Sequence, residues 1–212
     1  MDPVKPPIPF QDGDAVPKEL TVEEIDSLVE RFSDAARFAR LGGFDAVEIH
    51  MAHGYLLHQF LSPHTNTRDD EFGGSFAGRT KLAVEVAKAV RAVIPATTPL
   101  VVRISTSEYV ADGWDVEQSI ELARQLKPLG VDFVDCSSGG NVATAKIPLG
   151  PGYQTPFAER VRRQAGVLTG AVGLITSAVQ AEHIVHSGQA DAVLIAREFL
   201  RDPYFPMRAA RE

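Results

Sequence analysis

The sequence has little cysteine and no excess of basic residues. Its one cysteine, Cys136, has no partner within the chain, which excludes an intrachain disulfide scaffold and favours a reducing compartment. The 28 acidic residues outnumber the 21 basic ones and give a formal net charge of −7. No long run of Lys and Arg occurs, so the chain lacks the basic patch that is typical of nucleic-acid-binding domains. We therefore expect neither DNA nor RNA as a partner.

The sequence also lacks long hydrophobic runs. No apolar stretch approaches the roughly 20 residues that a helix needs to cross a bilayer. The N-terminal segment MDPVKPPIPFQDGD does not contain the apolar core of a signal peptide. We therefore expect no membrane partner and a cytoplasmic location. With 212 residues, of which 44% are hydrophobic, the chain is long enough to bury one substantial core.

The sequence does contain a repeated alternation of helix and strand signals. Residues 1–20 carry five prolines and are expected to form an extended lead-in. The capping box at Thr21 starts an apolar stripe at helical spacing, which stops at Gly42-Gly43 and is followed by a predicted strand at residues 44–49. The same order recurs four more times and ends in a short helical tail after Arg197. The further helices are predicted near residues 76–94, 116–129, 157–164 and 178–187, and the further strands near residues 100–104, 131–135, 167–172 and 192–195.

This alternation predicts an α/β fold with a parallel sheet that is buried on both faces. A closed (β/α)8 barrel has eight strands in about 250 residues, but the pattern here predicts only five strands. Two architectures fit: an open doubly wound sheet, or a partial (β/α)8 barrel without its opening strands. Residues 21–212 contain no linker or repeat that divides them, so they are predicted to form one domain.

In both architectures, functional residues collect just past the carboxyl ends of the strands. The first predicted strand leads into His50, and His53 and Tyr55 follow it. Two imidazoles and a phenol at this spacing offer hydrogen-bond donors and a proton donor directed at one point. Alternatively, the histidines cap loop carbonyls or bind zinc, although no Cys or carboxylate stands beside the pair at ligand spacing. We expect no metal.

Other strand ends carry groups suited to an anionic ligand. Arg103 ends an apolar strand, where a guanidinium needs a negative partner, either a ligand or a neighbouring carboxylate. Gly173 and the pair Ala196-Arg197 follow the last two strands, where barrel enzymes commonly bind phosphate through backbone N–H groups. Cys136 follows a buried strand and is expected to be a packing residue.

Several motifs together resemble the Old Yellow Enzyme family of FMN-dependent ene-reductases, particularly its bacterial branch related to xenobiotic reductases. The similarity runs from Thr21 to Pro203 and includes FDAVEIHMAHGYLLHQFLSP, NTRDDEFGGS, VVRIS, GVDFVDCSSGG, GAVGLIT and AREFLRDP. The resemblance implies a partial (β/α)8 barrel made of about strands four to eight, because the first three strands of that family have no counterpart in this sequence.

The resemblance also implies a role for each candidate site residue. His50 and His53 correspond to the pair that hydrogen-bonds the carbonyl oxygen of an α,β-unsaturated substrate, and Tyr55 corresponds to the proton donor to the α-carbon. Arg103 corresponds to the residue beside N1 and the C2 carbonyl of the flavin. NAD(P)H would supply the hydride that FMN passes to the β-carbon of an activated alkene. The FMN phosphate would be held at the last two strand ends, by Gly173, Leu174, Ala196 and Arg197.

Two other hypotheses stand beside this one. A flavin-free, phosphate-binding barrel lyase or isomerase would use His50 and His53 as acid–base groups. A fragment without enzymatic activity would expose unpaired sheet edges and apolar surface, both of which favour self-association. We therefore expect a homo-oligomer.

Overall fold

The computed structural model describes residues 13–211, in which the strands form one parallel sheet. The five strands lie in the order β1-β2-β3-β4-β5, and every neighbouring pair is parallel. Each strand therefore lies beside the next one along the chain, as in a barrel, whereas the strand order of a doubly wound sheet reverses. The strands are β1 Val47–Met51, β2 Leu100–Ser105, β3 Phe133–Ser137, β4 Leu168–Ala171 and β5 Ala192–Val193.

Helices connect the strands and begin at recognisable caps. The predicted capping box is confirmed: the Thr21 hydroxyl accepts from the Glu24 N–H, and the Glu24 carboxylate accepts from the Thr21 N–H. Asp115 and Ser177 each cap the helix that follows with one bond, in which the side-chain oxygen accepts from the backbone N–H three residues on. The helices are α1 Val22–Leu41, α2 Leu56–Leu61, α3 Phe76–Val93, α4 Val116–Leu126, α5 Thr155–Ala165, α6 Ala178–His186, α7 Arg197–Arg201 and α8 Phe205–Ala209.

The two faces of the sheet differ in burial along β1 and β2, where buried and partly exposed residues alternate. Alternate strand residues are buried in the core with apolar residues of the helices, among them Ile49, Met51, Val102, Val134 and Cys136. The residues between them form the other face, which we call the open face. It borders a cavity of about 540 Å³ lined by residues that include Glu48, Val101, Phe133, Leu168 and Leu194.

The boundaries of several predicted elements were wrong by a few residues. The first strand begins at Val47 rather than at Phe44, because the Phe44 N–H still bonds to the Ala39 carbonyl at the end of α1. The third strand is Phe133–Ser137 instead of residues 131–135, because a 3-10 turn at Lys127–Leu129 and left-handed Gly130 extend the helix end. Helix α2 was not predicted.

The predicted lead-in, residues 1–20, lies partly outside the described residues, which begin at Gly13. Residues 15–20 form neither helix nor strand. No helix between residues 13 and 211 is long and apolar enough to span a membrane.

Candidate functional site

Strand register aligns the polar residues of the open face in one row. His50 of β1 is the register partner of Arg103 on β2, and Arg103 is the partner of Asp135 on β3. Asp135 in turn pairs with Gly170 on β4. Because register partners on parallel strands lie side by side, an imidazole, a guanidinium and a carboxylate stand next to one another near the carboxyl ends of the strands.

The structure brings His50, His53 and Tyr55 together, as the motif predicted. The ring centroid of His50 lies 5.2 Å from that of His53 and 5.3 Å from that of Tyr55. Both imidazoles are partly buried, whereas Tyr55 is 64% exposed. The site therefore pairs two sheltered hydrogen-bonding rings with an accessible phenol.

A tight turn holds His53 and Tyr55 in place. His53 has a left-handed backbone with φ of 59°, and its N–H donates to the Ser105 hydroxyl at 2.9 Å. Gly54 follows with φ of 77°, and a Cβ at that position would lie 2.3 Å from the Gly140 carbonyl oxygen. Strained backbone of this kind persists only where the surroundings hold it, and here the end of β2 and the loop after β3 hold the turn.

Burial and positive charge keep both histidines neutral near pH 7. Burial lowers the pKa of His53 to about 4, and the positive charge of Arg103 lowers it further. Burial also lowers the pKa of His50, again helped by the charge of Arg103. A neutral imidazole keeps one N–H donor and one acceptor nitrogen. The pair can therefore hydrogen-bond a substrate oxygen without carrying a full charge.

Sequence reasoning missed a chain of polar side chains behind His53. Its Nε2 lies 2.6 Å from the Ser137 hydroxyl oxygen, which is also 3.3 Å from the Gln154 side-chain oxygen. When the Ser137 hydroxyl donates to Nε2 of His53, the proton of the neutral imidazole is on Nδ1 and is free for a substrate oxygen. Gln154 also accepts from the Ser138 hydroxyl, which in turn accepts from the Tyr109 hydroxyl at 2.9 Å. The Cys-Ser-Ser-Gly-Gly run at the end of β3 was a usable signal, since two hydroxyls at a strand end are placed to face the site.

Arg103 has a carboxylate partner, which was one of the two alternatives for its charge. Its Nε lies 3.0 Å from Oδ2 of Asp135, and the Asp135 side chain is wholly buried while 28% of the Arg103 side chain remains accessible. Among the described residues, neither Asp135 oxygen accepts a hydrogen bond of good geometry. Burial raises the pKa of Asp135 to about 7 against the opposing effect of Arg103, and the Glu48 charge raises it further.

This raised pKa predicts a particular dependence of stability on pH. The unfolded Asp135 carboxyl ionises near its ordinary pKa of 3.8, whereas the folded one does so only near 7. The carboxyl's favourable contribution is therefore full below about pH 4 and is lost as the pH rises through 7. Relative to wild type, Asp135→Asn should gain roughly 2–4 kcal/mol in the free energy of unfolding between pH 4.5 and pH 8. Urea denaturation at both pH values tests this, and parallel pH dependences would contradict it.

The four residues predicted to hold a phosphate lie at the ends of neighbouring strands β4 and β5, and α7 begins at Arg197. Gly173 and Leu174 both have left-handed backbone, with φ of 112° and 53°. A Cβ at Gly173 would come within 2.8 Å of the Gln154 amide nitrogen. Within residues 13–211, the N–H groups of Gly173, Leu174 and Ala196 have no backbone acceptor, so they are available to a ligand.

Cys136 does not belong to this site. Burial strongly raises the pKa of the Cys136 thiol, which packs in the core rather than acting as a thiolate. Residues 13–211 contain no group of three or more His, Cys, Asp or Glu side chains that could hold a metal ion.

The chain is similar in sequence to known flavin oxidoreductases. Residues 1–212 match the profile of the NADH:flavin oxidoreductase / NADH oxidase family. The chain is 51% identical over 205 residues to an NADPH dehydrogenase of Geobacillus thermodenitrificans, covering 97% of this chain and 59% of the relative. It thus spans less than two thirds of the length of that relative.

Solved structures show the same arrangement of elements. A 2-naphthoyl-CoA reductase in complex with 2-naphthoyl-CoA matches with a TM-score of 0.87 at 26% identity, covering 93% of this chain and 31% of that one. Morphinone reductase in complex with tetrahydroNAD matches with a TM-score of 0.76 at 27% identity, covering 93% of this chain and 52% of that one.

Proposed function

Because the chain belongs to the NADH:flavin oxidoreductase / NADH oxidase family, which includes the Old Yellow Enzymes, we propose that it is part of an FMN-dependent oxidoreductase. The proposed reaction uses NAD(P)H to reduce the double bond of an α,β-unsaturated carbonyl compound or a similar activated alkene, and bound FMN would supply the hydride transfer. The observation that carries this proposal is the convergence of His50, His53 and Tyr55 beside Arg103 on the open face.

The residues present fit a flavin mononucleotide. Arg103 is accessible on the open face and brings a positive charge next to His50, where the ring system of a flavin would need it as the ring becomes anionic. Free backbone N–H groups at Gly173, Leu174 and Ala196, with Arg197 beside them, suit the phosphate. FMN, when bound, supplies the hydride chemistry, and the chain supplies orientation and electrostatics.

In this proposal, each protein group acts where negative charge or a proton is needed. The neutral imidazoles of His50 and His53 donate hydrogen bonds to the carbonyl oxygen of the substrate, on which charge builds when the β-carbon accepts a hydride. Tyr55 presents an exposed hydroxyl 5.3 Å, ring to ring, from His50 and gives its proton to the α-carbon. The flavin-free lyase or isomerase is the weaker hypothesis, because residues 1–212 match a family of flavin oxidoreductases.

Titration of the protein with FMN, followed by quenching of flavin fluorescence, tests the cofactor site. Arg103→Met should weaken FMN binding about 10- to 100-fold, since a charge-assisted hydrogen bond contributes about 1.5–3 kcal/mol. The control is Arg124→Met, because Arg124 is half exposed on α4 and pairs only with groups outside the open face. Thermal unfolding is measured alongside, since Asp135 loses its partner in Arg103→Met. Equal affinities for the two variants, or no FMN binding by wild type, would count against the proposal.

A further inference from the structure

A second buried carboxylate, Glu108, lies behind the loop that carries the candidate catalytic residues. It stands in the segment after β2 and is completely buried. Its Oε2 accepts from the Ser62 hydroxyl at 2.9 Å and from the Trp114 backbone N–H at 2.8 Å. Its Oε1 accepts from the Asn141 side-chain amide at 2.5 Å and lies 3.3 Å from Nε2 of His58.

These partners come from three different connections of the barrel. His58 and Ser62 follow β1, Trp114 follows β2, and Asn141 follows β3. Three of these groups donate hydrogen bonds to the carboxylate, and Nε2 of His58 faces it at 3.3 Å without ideal hydrogen-bond geometry. An ionised carboxylate, which has acceptors alone, suits all four neighbours. Burial by itself would raise the pKa of Glu108, but the bonds from His58, Trp114, Ser62 and Asn141 together hold that pKa below its ordinary value.

His58 connects this carboxylate to the candidate catalytic turn. Its Nδ1 accepts from the Gly54 N–H at 3.0 Å, so that nitrogen carries no proton. The ring is therefore neutral, and its proton is on Nε2, which faces Glu108. Gly54 is the left-handed residue between His53 and Tyr55. The contacts that run from Glu108 through His58 to the Gly54 N–H, which we call the relay, therefore end on the backbone that sets the directions of both side chains.

We propose that Glu108 is a positioning residue: through His58 it fixes the His53–Gly54 turn and thereby aims His53 and Tyr55 at the open face. The Asn141 contact supports the same turn from the other side, because Gly140 and Asn141 pack directly against Gly54. The importance of this positioning for catalysis rests on the proposed function. The relay itself does not, and it is tested on the protein without flavin or alkene.

The test is nitrogen-detected NMR of the histidine rings in the full chain. In wild type, Nδ1 of His58 should be unprotonated and Nε2 protonated. In Glu108→Gln, one carboxylate oxygen becomes an amide NH2, which cannot accept a hydrogen bond and must face at least one of the former donors. His58 should therefore no longer keep a single tautomer. The pKa of His53, about 4 in wild type, should rise by a unit or more as the turn relaxes.

Ser62→Ala is the matched variant, because it removes one partner of the same carboxylate and leaves His58 untouched. It should lower stability while keeping the wild-type His58 tautomer and His53 pKa. The proposal is overturned if wild-type His58 carries its proton on Nδ1, or if Glu108→Gln unfolds more readily yet shows unchanged His53 and His58 signals. A tautomer change in Glu108→Gln without loss of alkene reduction would keep the relay and instead count against the proposed function.

Discussion

Replacing His53 by Ala is expected to lower the rate of alkene reduction by about 10²–10³-fold, the usual effect of removing one preorganised donor from a developing oxyanion. His53 is held neutral and partly buried beside His50, so its donor is oriented before the substrate binds. The reduction of FMN by NADPH should change much less, because the lost donor faces the substrate oxygen. Stopped-flow measurement of the two half-reactions, with 2-cyclohexenone as the alkene, separates these effects.

His186→Ala serves as the control, since His186 is an exposed residue in the last turn of α6. It should leave both half-reactions at wild-type rates. The assignment of His53 fails if its replacement slows only the reduction of FMN, or if the alkene step keeps its wild-type rate.

Gly54→Ala should be among the most damaging single-methyl substitutions in the chain. The new Cβ would lie 2.3 Å from the Gly140 carbonyl oxygen and 3.3 Å from the Asn141 Cα, both of which are backbone atoms. It would also occupy left-handed backbone, with φ of 77°. Strain at such a φ costs about 1–3 kcal/mol, and overpacking costs about 1–3 kcal/mol more. We expect a loss of about 2–5 kcal/mol in the free energy of unfolding.

Gly43→Ala separates the two contributions. Gly43 has a similar φ of 85°, but a Cβ there meets nothing within 4 Å. This control should lose only the backbone part, about 1–2 kcal/mol. Urea denaturation of both variants gives the comparison. Equal losses would show that the contact between the loops after β1 and β3 does not constrain the turn.

The elements that sequence predicted best were those with local signals. The capping box at Thr21 and the glycines at 42 and 43 set the two ends of α1 through contacts within a few residues. Helix α2 lacks such a signal, because Tyr55 occupies its N-cap without a side-chain hydrogen bond and four of its six residues are buried. Its short apolar sequence resembles a buried strand as much as a helix.

The candidate site likewise combines residues that are close in sequence with residues that only the fold brings together. His50, His53 and Tyr55 are close in sequence, and their motif predicted that they lie together. The pairing of Arg103 with Asp135 depends on the register between β2 and β3, which the sequence pattern fixed only to within two residues. The partners of Glu108 come from loops that meet only in the folded chain, so no spacing rule could have predicted them.

The predicted partial (β/α)8 barrel of the Old Yellow Enzyme family is confirmed by the family match, the strand order and the structural neighbours. A partial barrel leaves the inner face of its sheet open, and the chain spans 59% of the length of its Geobacillus relative. The predicted phosphate site and the predicted homo-oligomer remain predictions.

The central claim is that one face of the sheet brings a reduced flavin and an electron-poor alkene together. The most direct test loads the protein with FMN and supplies NADPH deuterated at the transferable position, together with 2-cyclohexenone in ordinary water. We expect the saturated ketone to carry one deuterium at the β-carbon and none at the α-carbon. Oxidation of the labelled NADPH without deuterium in the ketone, or deuterium at the α-carbon, would contradict it.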